Sequence, residues 1–207
     1  MNAQAPRRQR KSAEERRREI VDAVLALAYE YGPDSITAGA IAERVGFAQP
    51  AVFRHFPTMA DVWLAVADTV GERVRERWDA VDDPALPAGE RLRAVLSAHL
   101  GVITANPGLP SVLFSRELQA GNRELQARFA RHMEGFVERL QSLITAGQRA
   151  GEIRPHLDAR RAAYSIIGLL QGTAFRWALN RQSFDLQSEG MGAFEVLWSG
   201  LSSPTAA

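Results

Sequence analysis

The chain contains no cysteine in 207 residues. Disulfides and thiolate metal sites are therefore excluded, and the composition fits a reducing compartment. Lysine is nearly absent as well: 24 of the 25 basic residues are arginine and Lys11 is the single lysine, a bias from which no function follows. No apolar run approaches the ~18 residues that would cross a bilayer, and the basic start is not followed by the unbroken apolar core of a signal peptide. A soluble, cytoplasmic protein is expected. Glycine-rich phosphate loops are missing, since neither G-x-G-x-x-G nor a Walker pattern occurs. His55, His99, His132 and His156 fall on separate predicted elements without a metal-binding spacing, and paired carboxylates such as Asp82-Asp83 sit in a predicted loop. Neither catalysis, a cofactor nor a metal is expected. No segment alternates with β-branched enrichment, which argues against any sheet.

What is present is helical periodicity and a localised charge. Hydrophobic residues make up 46% of the chain, enough for a substantial core, and the formal net charge is only +1. Residues 1–19, however, carry seven basic groups against three acidic ones. Residues 1–11 read as a disordered basic arm in which Arg7, Arg8, Arg10 and Lys11 could follow a DNA backbone or enter a minor groove; the plainer alternative is a solvated tail.

The stretch around which the rest is organised runs from Ile36 to Phe56, within a candidate helix-turn-helix DNA-binding domain at residues 12–57. Ser12 and Glu15 make a capping box that starts a first helix near Ala13, with Ile20, Val24, Leu27 and Tyr31 as its buried stripe and Gly32-Pro33-Asp34 as its end. Thr37 is a good N-cap for a second, short helix; Ile36 and Ile41 bracket it as a hydrophobic staple, and Gly46 closes it. A third helix can start only at about Gln49 or Pro50, proline being tolerated in a first turn. Val52 and Phe56 face inward, which leaves Gln49, Pro50, Phe53 and Arg54 pointing out. A helix, a tight turn and a helix with an amide and a guanidinium on the outer face suit a major groove. An ordinary αα-corner is the bland alternative.

These residues also resemble the TetR family of bacterial one-component regulators. The resemblance rests on Thr37, the Ile41-Ala42 pair, Gly46 and the run Gln49-Pro50-Ala51-Val52-Phe53-Arg54-His55-Phe56-Pro57, and it is close over residues 12 to about 70. It implies that Thr37 and His55 hold phosphates and that Gln49, Pro50, Ala51, Phe53 and Arg54 meet bases or the groove wall. Three positions depart from the family pattern. Ala48 replaces a frequent capping serine, at a cost of about 1 kcal/mol; Phe53 replaces a tyrosine; and Met59 stands where a lysine usually grips the backbone.

A connecting segment, residues 58–84, contains a helix from Met59 to about Trp78 with Val62, Val66, Val70 and Val74 stacked at spacings of four. Residues 85–207 should then form a ligand-binding and dimerisation domain, with helices at about 88–105, 110–119, 122–150, 158–181 and 188–202. Leu125, Phe129, Met133, Phe136, Leu140 and Leu143 mark the inner stripe of the longest. Apolar and aromatic groups with a few polar ones suggest an apolar effector pocket built from Trp63, His99, Ile103, Phe114, Phe129, Met133, Phe136, Gln171, Phe175 and Trp177, with His99 and Gln171 as polar anchors. Any one of these residues could equally be ordinary core.

The last two helices are apolar on most sides and need cover on most sides. A four-helix bundle between two subunits is the expected cover, through Ile167, Gly168, Gly172, Met191, Phe194, Trp198 and Leu201; burial within one subunit is the alternative. The expectation is an all-α homodimeric repressor of a pseudo-palindromic DNA operator, released by a small apolar effector and without a membrane role. The rival is a DNA-bound interaction protein: Asn106-Pro107-Gly108-Leu109, Glu117-Leu118, Asn122 and Leu125 loosely resemble the nucleoid-occlusion members of the family.

Overall fold

A computed structural model describes residues 11–204, the side chains at 117 and 119 excepted. The architecture is all-α, with ten helices and no strand among the described residues.

Three short-range devices build the N-terminal unit. Helix α1 (Ala13–Tyr31) begins with the expected capping box: the Ser12 N–H donates to Glu15 Oε2 at 2.6 Å, and the Glu15 N–H donates to Ser12 Oγ at 3.1 Å. Ile20, Val24 and Leu27 are buried, but Tyr31 is 65% exposed and leaves the expected stripe, because the helix ends there and Gly32 turns the chain away at φ +80°. After the 3-10 turn Pro33–Ser35, helix α2 (Ala38–Val45) starts under Thr37, whose Oγ1 accepts the Ala40 N–H at 3.2 Å. Gly46 closes it in the left-handed region at φ 73°, a conformation that only glycine adopts without steric cost. Helix α3 (Gln49–His55) follows with no side-chain cap at Ala48. Ile41, Ala42, Val52 and Phe56 are all buried and lock α2 and α3 onto α1.

Helix α4 (Met59–Val81) runs three residues past the expected Trp78. Its valines at 62, 66, 70 and 74 are buried, so one stripe serves both halves of the molecule. Asp82 ends it as a structural carboxylate, accepting Arg91 at 2.6 Å and pairing with Arg139 at 2.8 Å. Helix α5 (Ala88–Ala105) has no cap of its own at Pro87; its first N–H groups, from Ala88 and Gly89, donate to the Glu152 carboxylate at 3.1 and 3.0 Å.

The helix expected over 110–119 is two helices, α6 (Leu109–Phe114) and α7 (Arg116–Ala120). Ser115 breaks it by accepting the Leu118 N–H at 3.1 Å while donating to Asp34 at 3.0 Å, which is the local competition that serine offers a helical backbone. Helices α8 (Arg123–Arg149), α9 (Ala159–Leu179) and α10 (Leu186–Leu201) complete the larger unit, each opened by an acceptor side chain, from Asn122, Asp158 and Asp185. Both units share one continuous hydrophobic core.

Candidate DNA-binding surface and effector cavity

The outer face of α3 carries the groups that a groove would meet. Gln49, Pro50 and Arg54 are exposed, Phe53 is 39% exposed, and Ala51 and His55 are half-buried. Thr37 spends an oxygen lone pair on its cap and keeps its hydroxyl hydrogen for a donor role. Two arginines of the charged first turns are used internally. Arg17 lies over the Phe56 ring at 4.1 Å and donates to the His55 carbonyl, and Arg16 lies over Phe47 at 4.7 Å. Lys11 is paired with Glu19, a bond that a phosphate would have to replace. The expected arm residues Arg7, Arg8 and Arg10 lie outside the described residues.

A cavity of about 180 Å³ opens between α4, α5, α6, α8 and α9. Its wall includes His99, Ile103, Phe114, Phe129, Met133, Phe136 and Gln171 from the sequence expectation. Periodicity placed them there: Phe129, Met133 and Phe136 continue the inner stripe of α8, and His99 and Ile103 are one turn apart on α5. Three expected residues lie elsewhere. Trp63 is buried in the core of α4. Trp177 is buried with its indole N–H donating to the Phe184 carbonyl at 3.0 Å. Phe175 is 46% exposed and meets Phe114 edge-on at 5.3 Å.

The cavity also takes residues that the sequence reading missed, among them Trp78, Arg75, Arg131 and His132. Trp78 continues the valine stripe of α4 and was recoverable from it; the two arginines and His132 carry no local signal. His99 stacks on Phe136 at 4.4 Å, and Trp78 on Phe136 at 4.6 Å. Burial lowers the His99 pKa to about 4, so the ring is neutral at pH 7. Burial also lowers that of His132, and Arg75 beside it acts in the same direction. Polar groups here are poorly matched. Among the described residues, Trp78 Nε1, His99 Nδ1 and His132 Nε2 are buried without a hydrogen-bond partner, and the Gln171 amide reaches only the Met133 sulfur at 3.7 Å.

The expected interface residues divide. Phe194 and Leu201 are buried inside the protomer, and Ile167 is buried with its side turned to the cavity. Met191 and Trp198 are half-buried, with Trp198 seated on Gly89 and under Arg93. These five are thus committed partly or wholly to their own subunit, because α5 and α9 cover that side of α10 and Ile167 faces the cavity. Gly168 and Gly172 are exposed, and a methyl group at either would meet no atom within 4 Å. They lie on one face of α9 with the exposed Tyr164, Phe175 and Leu179, and on α10 Val196 is 76% exposed.

A three-helix DNA reader joined through a long helix to a helical domain with an apolar cavity defines a ligand-linked transcription regulator. Residues 20–66 match the bacterial regulatory proteins of the tetR family, and residues 67–200 match the C-terminal region of YsiA-like protein. The chain belongs to the TetR family of DNA-binding transcription regulators. It is 26% identical over 184 residues to the fatty acid metabolism regulator protein of Bacillus subtilis, covering 88% of this chain and 94% of that protein. It is 27% identical over 189 residues to the nucleoid occlusion factor SlmA of Vibrio campbellii, covering 90% and 94%. The crystal structure of FadR from Bacillus subtilis in complex with stearoyl-CoA superposes with a TM-score of 0.76 at 27% identity, covering 88% of this chain and 98% of that one.

Proposed function

We propose that this protein is a repressor that binds a pseudo-palindromic operator as a homodimer and releases it when an apolar effector fills the cavity. The observation that carries the reading is the direct attachment of the cavity wall to the DNA reader. Gly108, immediately before the cavity residues Leu109 and Pro110, lies so close to the Leu25 and Tyr29 backbone that no side chain fits between them. Arg73 of α4 also pairs with Asp22 of α1 at 2.6 Å. A ligand that moves α4 or α6 must therefore move α1.

In this mechanism Gln49 and Arg54 read base edges, Pro50, Ala51 and Phe53 pack against the groove wall, and Thr37, His55 and the basic arm hold phosphates. Two copies joined through the exposed faces of α9 and α10 would set the recognition helices about 34–36 Å apart, one turn of duplex. An effector changes that separation only if it prefers the DNA-incompetent form; a tenfold release needs about 1.4 kcal/mol of preference. His99 and Gln171 are the polar anchors within an otherwise apolar wall. The stearoyl-CoA complex of the Bacillus subtilis relative supports a long acyl chain as the first effector to test. No described helix is long and apolar enough to cross a membrane, which agrees with action in the cytoplasm.

The test is an anisotropy titration of the full chain on DNA from its own locus, with and without palmitoyl-CoA. Saturable binding at two protomers per site, reversed by the thioester, supports the reading; unchanged DNA affinity at saturating thioester rejects it for that effector class. The similarity to SlmA favours one alternative, a DNA-bound interaction protein. Genome-wide occupancy separates the two: a repressor holds few sites, an occlusion factor many dispersed ones. Of the residues that suggest the latter, two have structural roles: Asn106 Nδ2 donates to the Val102 carbonyl at 2.8 Å and Asn122 caps α8.

A further inference from the structure

The charge in the cavity wall has one sign. Arg75 and Arg131 stand in the lining beside His132, a ring that burial and Arg75 disfavour as a cation, and no described aspartate or glutamate does. Arg75 Nη1 lies 3.2 Å from His132 Nδ1, so Arg75 donates to an imidazole whose other nitrogen lies 3.7 Å from Asp68, too far for a hydrogen bond. The ring has a built seat. It rests flat on Gly71 of α4, where a Cβ would come within 2.5 Å of Nδ1 and 2.8 Å of Nε2. A glycine in the interior of a long helix is unfavourable relative to alanine, and here it admits the ring that braces Arg75.

Neighbouring arginines are neutralised. Arg128 binds Asp68 and reaches Glu124 at 3.4 Å, and Arg139 pairs with Asp79 at 2.9 Å. Asp68 is thereby engaged. Arg75 and Arg131 have no carboxylate partner among the described residues, and both are exposed at the edge of the cavity. Two guanidinium groups at the rim of an apolar pocket form a site for the anionic end of an amphipathic molecule, with bonds to carboxylate or phosphate oxygen roughly twice as strong as neutral ones.

We propose that the effector is an amphipathic anion whose chain lies among Ile103, Phe129 and Met133 and whose carboxylate or phosphate is held at the rim by Arg75 and Arg131. This rests on the reading that the cavity is the effector site, and it replaces a merely apolar effector by one with a charge requirement. A rim position leaves room for a bulky head group outside the protein. A free fatty acid and the phosphates of a thioester present the same chemistry there.

The experiment measures the affinity of the full chain for palmitate, palmitoyl-CoA, methyl palmitate and palmitoylcholine by the fluorescence of Trp78 and its fellow tryptophans, checked by calorimetry. At least one of the two anions should bind tenfold or more tightly than the methyl ester, and the cation weakest. In the double variant Arg75→Gln/Arg131→Gln that preference should disappear while the methyl ester binds as before, which also shows that the variant is folded. Preference for palmitate alone assigns the site to a carboxylate, preference for the thioester alone assigns it to phosphate, and equal binding of the two shows that it takes either anion. Equal affinity for anion and ester, or a preference that survives in the double variant, overturns the proposal. Binding of none of the four would overturn the effector reading itself and the proposal with it.

Discussion

Replacing Gly108 by alanine tests the seam through which the proposed ligand control would act. Its backbone is ordinary right-handed helical, φ −76°, ψ −13°, so alanine brings no conformational strain and should reduce the freedom of the unfolded chain, worth about 0.4–1 kcal/mol in favour of the variant. Space decides the other way. The new methyl carbon would lie 2.8 Å from the Tyr29 nitrogen and closer still to the Leu25 carbonyl oxygen, both backbone atoms of α1 that no rotamer change can move aside. Overpacking of this kind costs about 1–3 kcal/mol. The net expectation is a loss of about 1–2 kcal/mol, or a fall in Tm of about 2–8 °C for a chain of this length. The same displacement lifts α6, and with it Leu109 and Pro110 of the cavity wall, from α1. Operator affinity and effector affinity should therefore change together and in opposite senses, because coupling is reciprocal. Differential scanning calorimetry and DNA anisotropy on one preparation read both. A Gly108→Ala protein that melts with its parent and binds DNA and effector unchanged would refute the argument.

Gln49→Ala should relax base preference by about 1–3 kcal/mol at one base pair of each half-site while leaving affinity for unrelated DNA unaltered, as measured on a panel of substituted duplexes. Gly172→Glu should give a folded monomer, since nothing lies within 4 Å of the new Cβ; sedimentation velocity reads the mass, and circular dichroism should match the parent. His99 should make the protein acid-sensitive. Its folded pKa of about 4 lies below the ordinary 6.5, so the unfolded chain takes up the proton first. Stability is complete above about pH 6.5 and falls by up to about 3 kcal/mol as the pH drops towards 4. Urea titrations across that window should show a smaller decline in His99→Phe.

The DNA reader was readable from sequence because its determinants are local: caps at Ser12 and Thr37, a left-handed glycine at Gly46, and apolar spacing through Ile41, Val52 and Phe56. Tyr31 misled because periodicity continues to the end of a helix whether or not anything packs there. Ser115 misled because its bond to Asp34 spans 81 residues. The cavity was half visible. Stripes name the α5 and α8 residues, but Trp63 of α4 and Trp177 of α9 sit on apolar faces of the same kind and differ only in what packs against them. Arg75, Arg131 and His132 converge from two helices distant in sequence, and no spacing within either helix announces it. The apolar surfaces of α9 and α10 failed for a related reason. A helix apolar nearly all round gives no phase, so Phe194 and Leu201 were assigned to a surface that turned out to be interior, whereas Tyr164, Phe175, Leu179 and Val196 face outward.

The central claim is that filling this cavity and holding DNA oppose each other. Titrating palmitoyl-CoA into the dimer bound to its operator, and separately into free protein, measures the coupling directly. The operator should weaken thioester binding by the same factor, tenfold or more, by which the thioester weakens operator binding. Thioester that occupies the cavity with equal affinity whether or not DNA is bound would contradict it.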